Sequence, residues 1–248
     1  MIKFHLRRRV RNAWLAFHPG EANYRMNIRS IGPFTVAYRG GTADESVLAH
    51  SFDHDIFFAG VPELNSGNDA VFIDIGAHIG TFSLFSASKA KAGRVYAIEA
   101  SRETFNYLKV NAALNPDLPI SVFHLAMAGH DGEVTLHHDR KNWGHTITKK
   151  LSAAGERVEA MTLTTFIQTQ KIEHVDFSKF NCEGAEFQIL MSTPVETLRK
   201  FEMMLVLYHL DLVDDYSLAD LLDKLAAAGF TTSVRNQEQG RGWVLAQR

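Results

Sequence analysis

The chain predicts an α/β fold, a Rossmann-like sandwich on a mostly parallel seven-stranded sheet with an antiparallel closing strand, a short N-terminal segment and an inserted hairpin. Three observations carry this. A chain of 248 residues, 46% hydrophobic and 22% charged, can bury one sizeable core with a short accessory segment. From residue 70 onward, short apolar runs alternate with stretches of helical spacing. Met203 to Tyr208 is continuously apolar, as a strand buried on both faces requires.

In chain order, Phe34 to Arg39 alternates like a strand, Gly40-Gly41 turns, and Thr42 to His54 carries helical spacing at Val47, Leu48 and Phe52, a segment placed to form a lid-like entrance. Pro62 to Asp69, centred on Asn65-Ser66-Gly67-Asn68, is loop material and divides an accessory segment (1–68) from the main domain (69–248). Val71-Phe72-Ile73 is a short buried strand. Ile79, Phe82, Phe85 and Ala92 share one helical face, closed by Gly93. Arg94 to Glu99 is the second strand and Ile120 to Ala126 the third, which Asp131-Gly132 turns into Glu133 to His137, an inserted hairpin. Val158 to Leu163 and Val175 to Cys182 read as further strands. Ser217 to Asp220 starts a helix with Leu218, Leu221, Leu222 and Leu225 on one face and Gly229 at its end. Phe230 to Val234 and Gly242 to Ala246 close the sheet as a hairpin, one strand antiparallel.

A net charge of −2 argues against a general polyanion binder, and Asn115-Pro116 reads as a helix stop, so nucleic acid is not an expected partner. Arg7, Arg8, Arg9 and Arg11 beside Ile2, Phe4, Leu6 and Trp14 form either a helix packed on its own domain or a weak membrane-surface contact. With no run of eighteen apolar residues and no signal-peptide core, a soluble cytoplasmic protein is expected. The single cysteine, Cys182, forms no internal disulfide.

Chemistry concentrates at Asp74-Ile75-Gly76-Ala77-His78-Ile79-Gly80, followed nineteen residues after Gly80 by Glu99 at a strand end. Glycines permit a tight turn and close approach of backbone to a ligand, and a strand-end carboxylate can accept two ribose hydroxyls. The dinucleotide pattern G-x-G-x-x-G is absent. A carboxylate at Asp74 repels phosphate and suits the ammonium of a methionine moiety, so the ligand read from these residues is S-adenosylmethionine.

These motifs, with Arg39-Gly40-Gly41-Thr42-Ala43-Asp44, with Asn106 and Asn111 to Asn115 after Glu99, and with Lys179 to Glu186, make the chain resemble the FkbM-type S-adenosylmethionine-dependent methyltransferases. The resemblance implies a class I methyltransferase fold and O-methylation of a sugar, glycan or natural-product hydroxyl. Asn181 stands where the family carries a carboxylate, and Leu207 precedes Tyr208-His209 where an acidic residue is common. Both departures remove hard oxygen ligands, so no essential metal is expected. His137-His138 and His145 lack any zinc-site spacing.

Beyond the strand ends, His209 is the first candidate base and Glu183 the second, with Asn181 and His145 on the acceptor side. Glu186 reads as a helix cap or lysine partner outside the site, and Cys182 as packing. Asp74, Gly76, Ala77, His78 and Gly80 are assigned to the methionine end, Glu99 to ribose and Ser101 to the vicinity of adenine. Asn106, Ala126 and Met127 follow from the resemblance. Thr42 and Asp44 either close over the methionine carboxylate or cap the segment structurally. An N-methyltransferase acting on an amine or protein, and a non-catalytic binding module, are the rival readings. The oligomeric state stays open.

Overall fold

The described chain begins with a hairpin, β1 (Met26–Ile31) and β2 (Phe34–Arg39), turned by Gly32 at φ 52° and followed by α1 (Asp44–Phe52). Then come β3 (Val71–Ile75), α2 (Thr81–Lys89), β4 (Arg94–Glu99), α3 (Arg102–Leu114) and β5 (Ile120–His124). A second group follows, β6 (Ala126–Met127), β7 (Gly132–His137), β8 (Gly155–Met161) and α4 (Leu163–Thr169). The chain ends with β9 (Val175–Phe180), α5 (Ala185–Ser192), α6 (Val195–Leu198), β10 (Phe201–His209), a 3₁₀ turn (Leu210–Leu212), α7 (Leu218–Ala227), β11 (Thr231–Glu238) and β12 (Arg241–Gln247). This computed structural model describes residues 26–53, 56–58, 61, 69–89, 93–137, 145–148 and 155–248. The basic N-terminal segment, the loop over 62–68, Ala92 and His138 lie outside the described residues.

The main sheet has seven strands in the order β11-β12-β10-β9-β3-β4-β5. Strands β10, β9, β3, β4 and β5 run parallel, whereas β12 is antiparallel to both its neighbours. The chain winds outward from β3 through β4 to β5, then returns to β9 on the other side of β3. The strand order reverses there, and residues at and just beyond the carboxyl ends of β3, β4, β9 and β10 line a crevice. Phe72, Phe177, Phe180, Phe201 and Leu205 are fully buried, which accounts for the uninterrupted apolar runs. Among the described residues no helix is long and apolar enough to cross a membrane.

Four expectations change. The run 120–126 breaks at Leu125, and Ala126–Met127 leaves the main sheet for a three-stranded sheet of order β6-β8-β7. The run beginning at Val158 is the end of β8 in that small sheet, and Leu163 already belongs to α4, whose start is capped by the Thr162 side chain. β7 pairs with β8 and not with the strand before Asp131-Gly132. Asp131 is a bracket, accepting from Thr162 N–H (2.6 Å) and the Thr165 hydroxyl (2.7 Å). Gly93 is not left-handed; a Cβ there would meet the Asp69 backbone, so close approach rather than a helix cap requires glycine.

α3 holds the N-terminal hairpin against the main sheet. Asn111 accepts from Ala37 N–H (2.6 Å) and donates to Ala37 O (3.0 Å) and Ile79 O (2.7 Å). One turn later Asn115 accepts from Thr35 N–H (3.0 Å) and donates to Thr35 O (2.9 Å). Placed this way, α1 borders the crevice through Val47, His50 and Ser51.

Candidate active site

The turn after β3 has Gly76, His78 and Gly80 at φ 73°, 54° and 91°. Gly76 and Ala77 N–H both donate to Ile98 O (3.0 and 2.9 Å). A Cβ on Gly76 would collide with the Asn181 carbonyl, and one on Gly80 would meet Leu108. Glycine therefore serves close approach of protein to protein as well as the turn itself. Glu99, at the end of β4, is 8% exposed and accepts His78 N–H on Oε2 (2.9 Å) and Ser101 N–H on Oε1 (2.8 Å). Burial raises its pKa despite those two donors. Each oxygen keeps acceptor capacity toward the cavity that Glu99 lines.

Asp74, which the sequence reading offers to a ligand ammonium directly or through water, is held by groups of the protein itself. β3 and β9 bring Asp74 and Lys179 into register as parallel partners. Lys179 Nζ donates to Asp74 Oδ1 (2.9 Å) and Gly76 O (2.7 Å), while Ser83 donates to Oδ2 (2.6 Å). The carboxylate is fully buried outside the cavity wall, and Lys179 lines the cavity in its place.

Thr42 and Asp44 lie in a network of protein groups around Arg39. Asp44 accepts Arg39 N–H, Nε and Nη2 at 2.8, 3.0 and 2.8 Å, and both residues are fully buried. The Thr42 hydroxyl donates to Arg39 O and accepts from Asp44 N–H. Arg39 also donates through Nη1 to Glu103 and Thr104 and lies over the Tyr107 ring. Ser101 caps α3, accepting from Thr104 N–H. Asn106 is buried on α3; neither it nor Ser101 reaches the cavity, whereas Ala77, His78, Ala126 and Met127 do.

The opposite wall is the loop after β9. Glu183 and Gly184 are left-handed, at φ 50° and 99°, and Gly184 starts α5. The Glu183 carbonyl accepts the Thr146 hydroxyl (2.6 Å), and its carboxylate Oε2 lies 3.5 Å from His209 Nε2 and 3.7 Å from Arg241 Nη1. Arg241 in turn forms a bidentate pair with Asp211 (2.9 and 2.8 Å). Glu186, which sequence reasoning leaves outside the site, points inward with no exposure and accepts His209 Nδ1 on Oε1 (3.1 Å). The left-handed turn rotates the start of α5 so that Glu186 faces β10, a reorientation that helical spacing cannot reveal.

Burial lowers the pKa of His209, but the Glu186 and Glu183 carboxylates outweigh it and hold the pKa above the ordinary value. Burial raises that of Glu183 over the opposing effects of His209 and Arg241, with Glu186 adding to the rise. Cys182 is pushed well up by burial and by Glu186, which suits packing and not nucleophilic chemistry.

Between these walls lies a cavity of about 240 Å³. Glu99 stands on one side, Asn181, Glu183 and His209 on the other, and His145, Arg241, Phe57 and Trp243 complete the rim. Asn181 Oδ1 is buried with no hydrogen-bond partner. An orphan acceptor in the cavity that the pinned Glu99 carboxylate also lines is the polar lining of a site for a ligand that offers N–H or O–H groups. Arg241 and Trp243 escaped the sequence reading because only the topology brings β12 beside β10. Among the described residues no group of three or more His, Cys, Asp or Glu is arranged to hold a metal ion.

A family model described as the methyltransferase FkbM domain matches residues 74–232. The AMB antimetabolite synthetase AmbE of Pseudomonas aeruginosa is 26% identical over 209 residues, 67% of this chain and 10% of that protein, so the chain spans about a tenth of its relative's length. The crystal structure of methyltransferase FkbM from Methylobacillus flagellatus superposes at a TM-score of 0.55 and 17% identity, over 77% of this chain and 46% of that one. M. capricolum TrmK, solved with S-adenosyl-homocysteine, gives 0.46 and 12% over 74% of this chain and 64% of that one.

Proposed function

Because the chain belongs to the FkbM methyltransferase family and is a methyltransferase, we propose that its cavity binds S-adenosylmethionine and that it methylates a hydroxyl of a sugar, glycan or small natural product. The observation that carries this is the meeting, in one cavity, of a pinned carboxylate at Glu99 with a proton-accepting pair at Glu183 and His209. The residues fit the cofactor: Glu99 suits two ribose hydroxyls, the Gly76 to Gly80 turn gives close backbone approach, and the unpartnered Asn181 Oδ1 supplies an acceptor. Bound there, the cofactor supplies an activated methyl group on sulfonium. The chain orients the acceptor for in-line attack and takes up its proton.

His209 and Glu183 are both more basic than usual and close enough to titrate as a pair, so together they receive that proton. Phe57 and Trp243, edge to face at 6.4 Å on the rim, offer apolar surface to a sugar ring or natural-product skeleton. The partial likeness to an antimetabolite synthetase accords with a small-molecule acceptor.

Calorimetric titration with S-adenosylhomocysteine tests the cofactor site. Losing hydrogen bonds to a charged group costs about 1.5–3 kcal/mol, so Glu99→Ala should weaken binding roughly ten- to a hundredfold. No binding by folded wild-type protein refutes the assignment. An acceptor screen with labelled S-adenosylmethionine then separates the chemistries, since transfer confined to amines would replace the hydroxyl acceptor with the N-methylating alternative.

A further inference from the structure

Three donors converge on the buried carboxylate of Glu186. Oε1 accepts Cys182 N–H (2.5 Å) and His209 Nδ1 (3.1 Å), and Oε2 accepts Gly184 N–H (2.8 Å). The two peptide donors flank Glu183, whose φ of 50° is a conformation that non-glycine residues adopt only when their surroundings enforce it. A carboxylate only accepts, so the ring nitrogen facing it is the one that carries hydrogen. In the neutral ring this leaves the lone pair on Nε2, which is buried without a hydrogen bond and faces Glu183 Oε2 at 3.5 Å.

We propose that Glu186 is the positioning residue of the proton-accepting pair: it holds His209 with its hydrogen on Nδ1 and Nε2 toward Glu183, and fixes the left-handed backbone that presents Glu183 to the cavity. This rests on the function proposed above. One buried side chain thereby sets both members of the pair. The groups facing His209 are Glu186 on α5, Glu183 before it, Arg241 on β12 and Asp211 in the 3₁₀ turn. Arg241 and Asp211 are joined to each other, so the two glutamates dominate the field at the imidazole. A helix-start role would need only the two peptide bonds; the third bond, to His209, is what distinguishes positioning from capping.

The test is nitrogen NMR of the histidine-labelled 248-residue chain without ligand. The chain has twelve histidines, so His209 is assigned by the resonance lost in His209→Gln. Above its titration midpoint, wild-type His209 should carry its hydrogen on Nδ1. In Glu186→Gln the midpoint should fall by about one pH unit, a tenfold loss of proton affinity, as expected when a contacting opposite charge is removed. Glu183→Gln, which leaves Glu186 in place, should keep hydrogen on Nδ1. Hydrogen on Nε2 in the wild type, or an unmoved midpoint in folded Glu186→Gln, overturns the proposal. The wild-type reading decides the matter even if Glu186→Gln does not fold. Because no cofactor is present, the result is independent of the S-adenosylhomocysteine titration, whose failure would strike the proposed function alone.

Discussion

Asp44→Asn separates a structural Asp44 from a cofactor-binding one. The carboxylate holds a guanidinium with no exposure through two bonds of 3.0 and 2.8 Å and also accepts the Arg39 backbone N–H at 2.8 Å, and the substitution leaves Arg39 buried with its charge poorly matched. Removing one partner of a buried ion pair costs about 3–5 kcal/mol. Glu103 is 31% exposed and still accepts Arg39 Nη1 at 3.1 Å, which places the expected loss near the lower end, about 3 kcal/mol. That is a large fraction of the roughly 5–15 kcal/mol that stabilises a domain. The assay is urea unfolding of wild type, Asp44→Asn, Arg39→Met and the double variant Arg39→Met/Asp44→Leu, with S-adenosylhomocysteine calorimetry on each folded protein. The single losses should not add in the double variant, because each includes the charge left without its partner. An Asp44→Asn protein as stable as the wild type but impaired in S-adenosylhomocysteine binding would refute the reasoning and return Asp44 to the cofactor.

Gly76→Ala combines a left-handed φ of 73° with a Cβ against the Asn181 carbonyl, whereas Gly32→Ala meets a φ of 52° in open space. The conformation alone costs about 1–2 kcal/mol, so thermal unfolding should show Gly32→Ala losing about that amount and Gly76→Ala clearly more, with weakened S-adenosylhomocysteine binding in the latter only. Glu99, raised above its ordinary value of 4.5 by burial, binds its proton more tightly folded than unfolded. Its contribution to stability is therefore full below the unfolded value and lost as pH rises through the folded one. Urea midpoints across that window should fall more steeply for wild type than for Glu99→Gln; equal slopes would contradict the assignment.

Much of the Glu99 side of the cavity is legible in the sequence because its determinants are local. A strand, a glycine turn and a helix are contiguous from Val71 to Lys89, and Glu99 ends the next apolar run, so topology adds only their adjacency. The other wall depends on distant contacts. Asp74 is a plausible ammonium ligand until the pairing of β3 with β9 supplies Lys179 beside it. Glu186 reads as a helix cap or lysine partner until the turn at Glu183 and Gly184 aims it at His209. The pattern of β8 shows a strand but not which sheet takes it, since alternation records burial of a face and not the identity of a neighbour.

The asparagines of α3 have a further consequence. Four helical residues rise about 6 Å, close to the roughly 6.6 Å that two strand residues span, so Asn111 and Asn115 meet Ala37 and Thr35 in step. Each side-chain amide directs one acceptor and one donor at β2, as a peptide unit of a neighbouring strand would. The helix thus imitates a third strand along β2, whose other side pairs with β1. The free edge of β2, which would otherwise be a template for strands of other chains, is closed by two amides of the same chain.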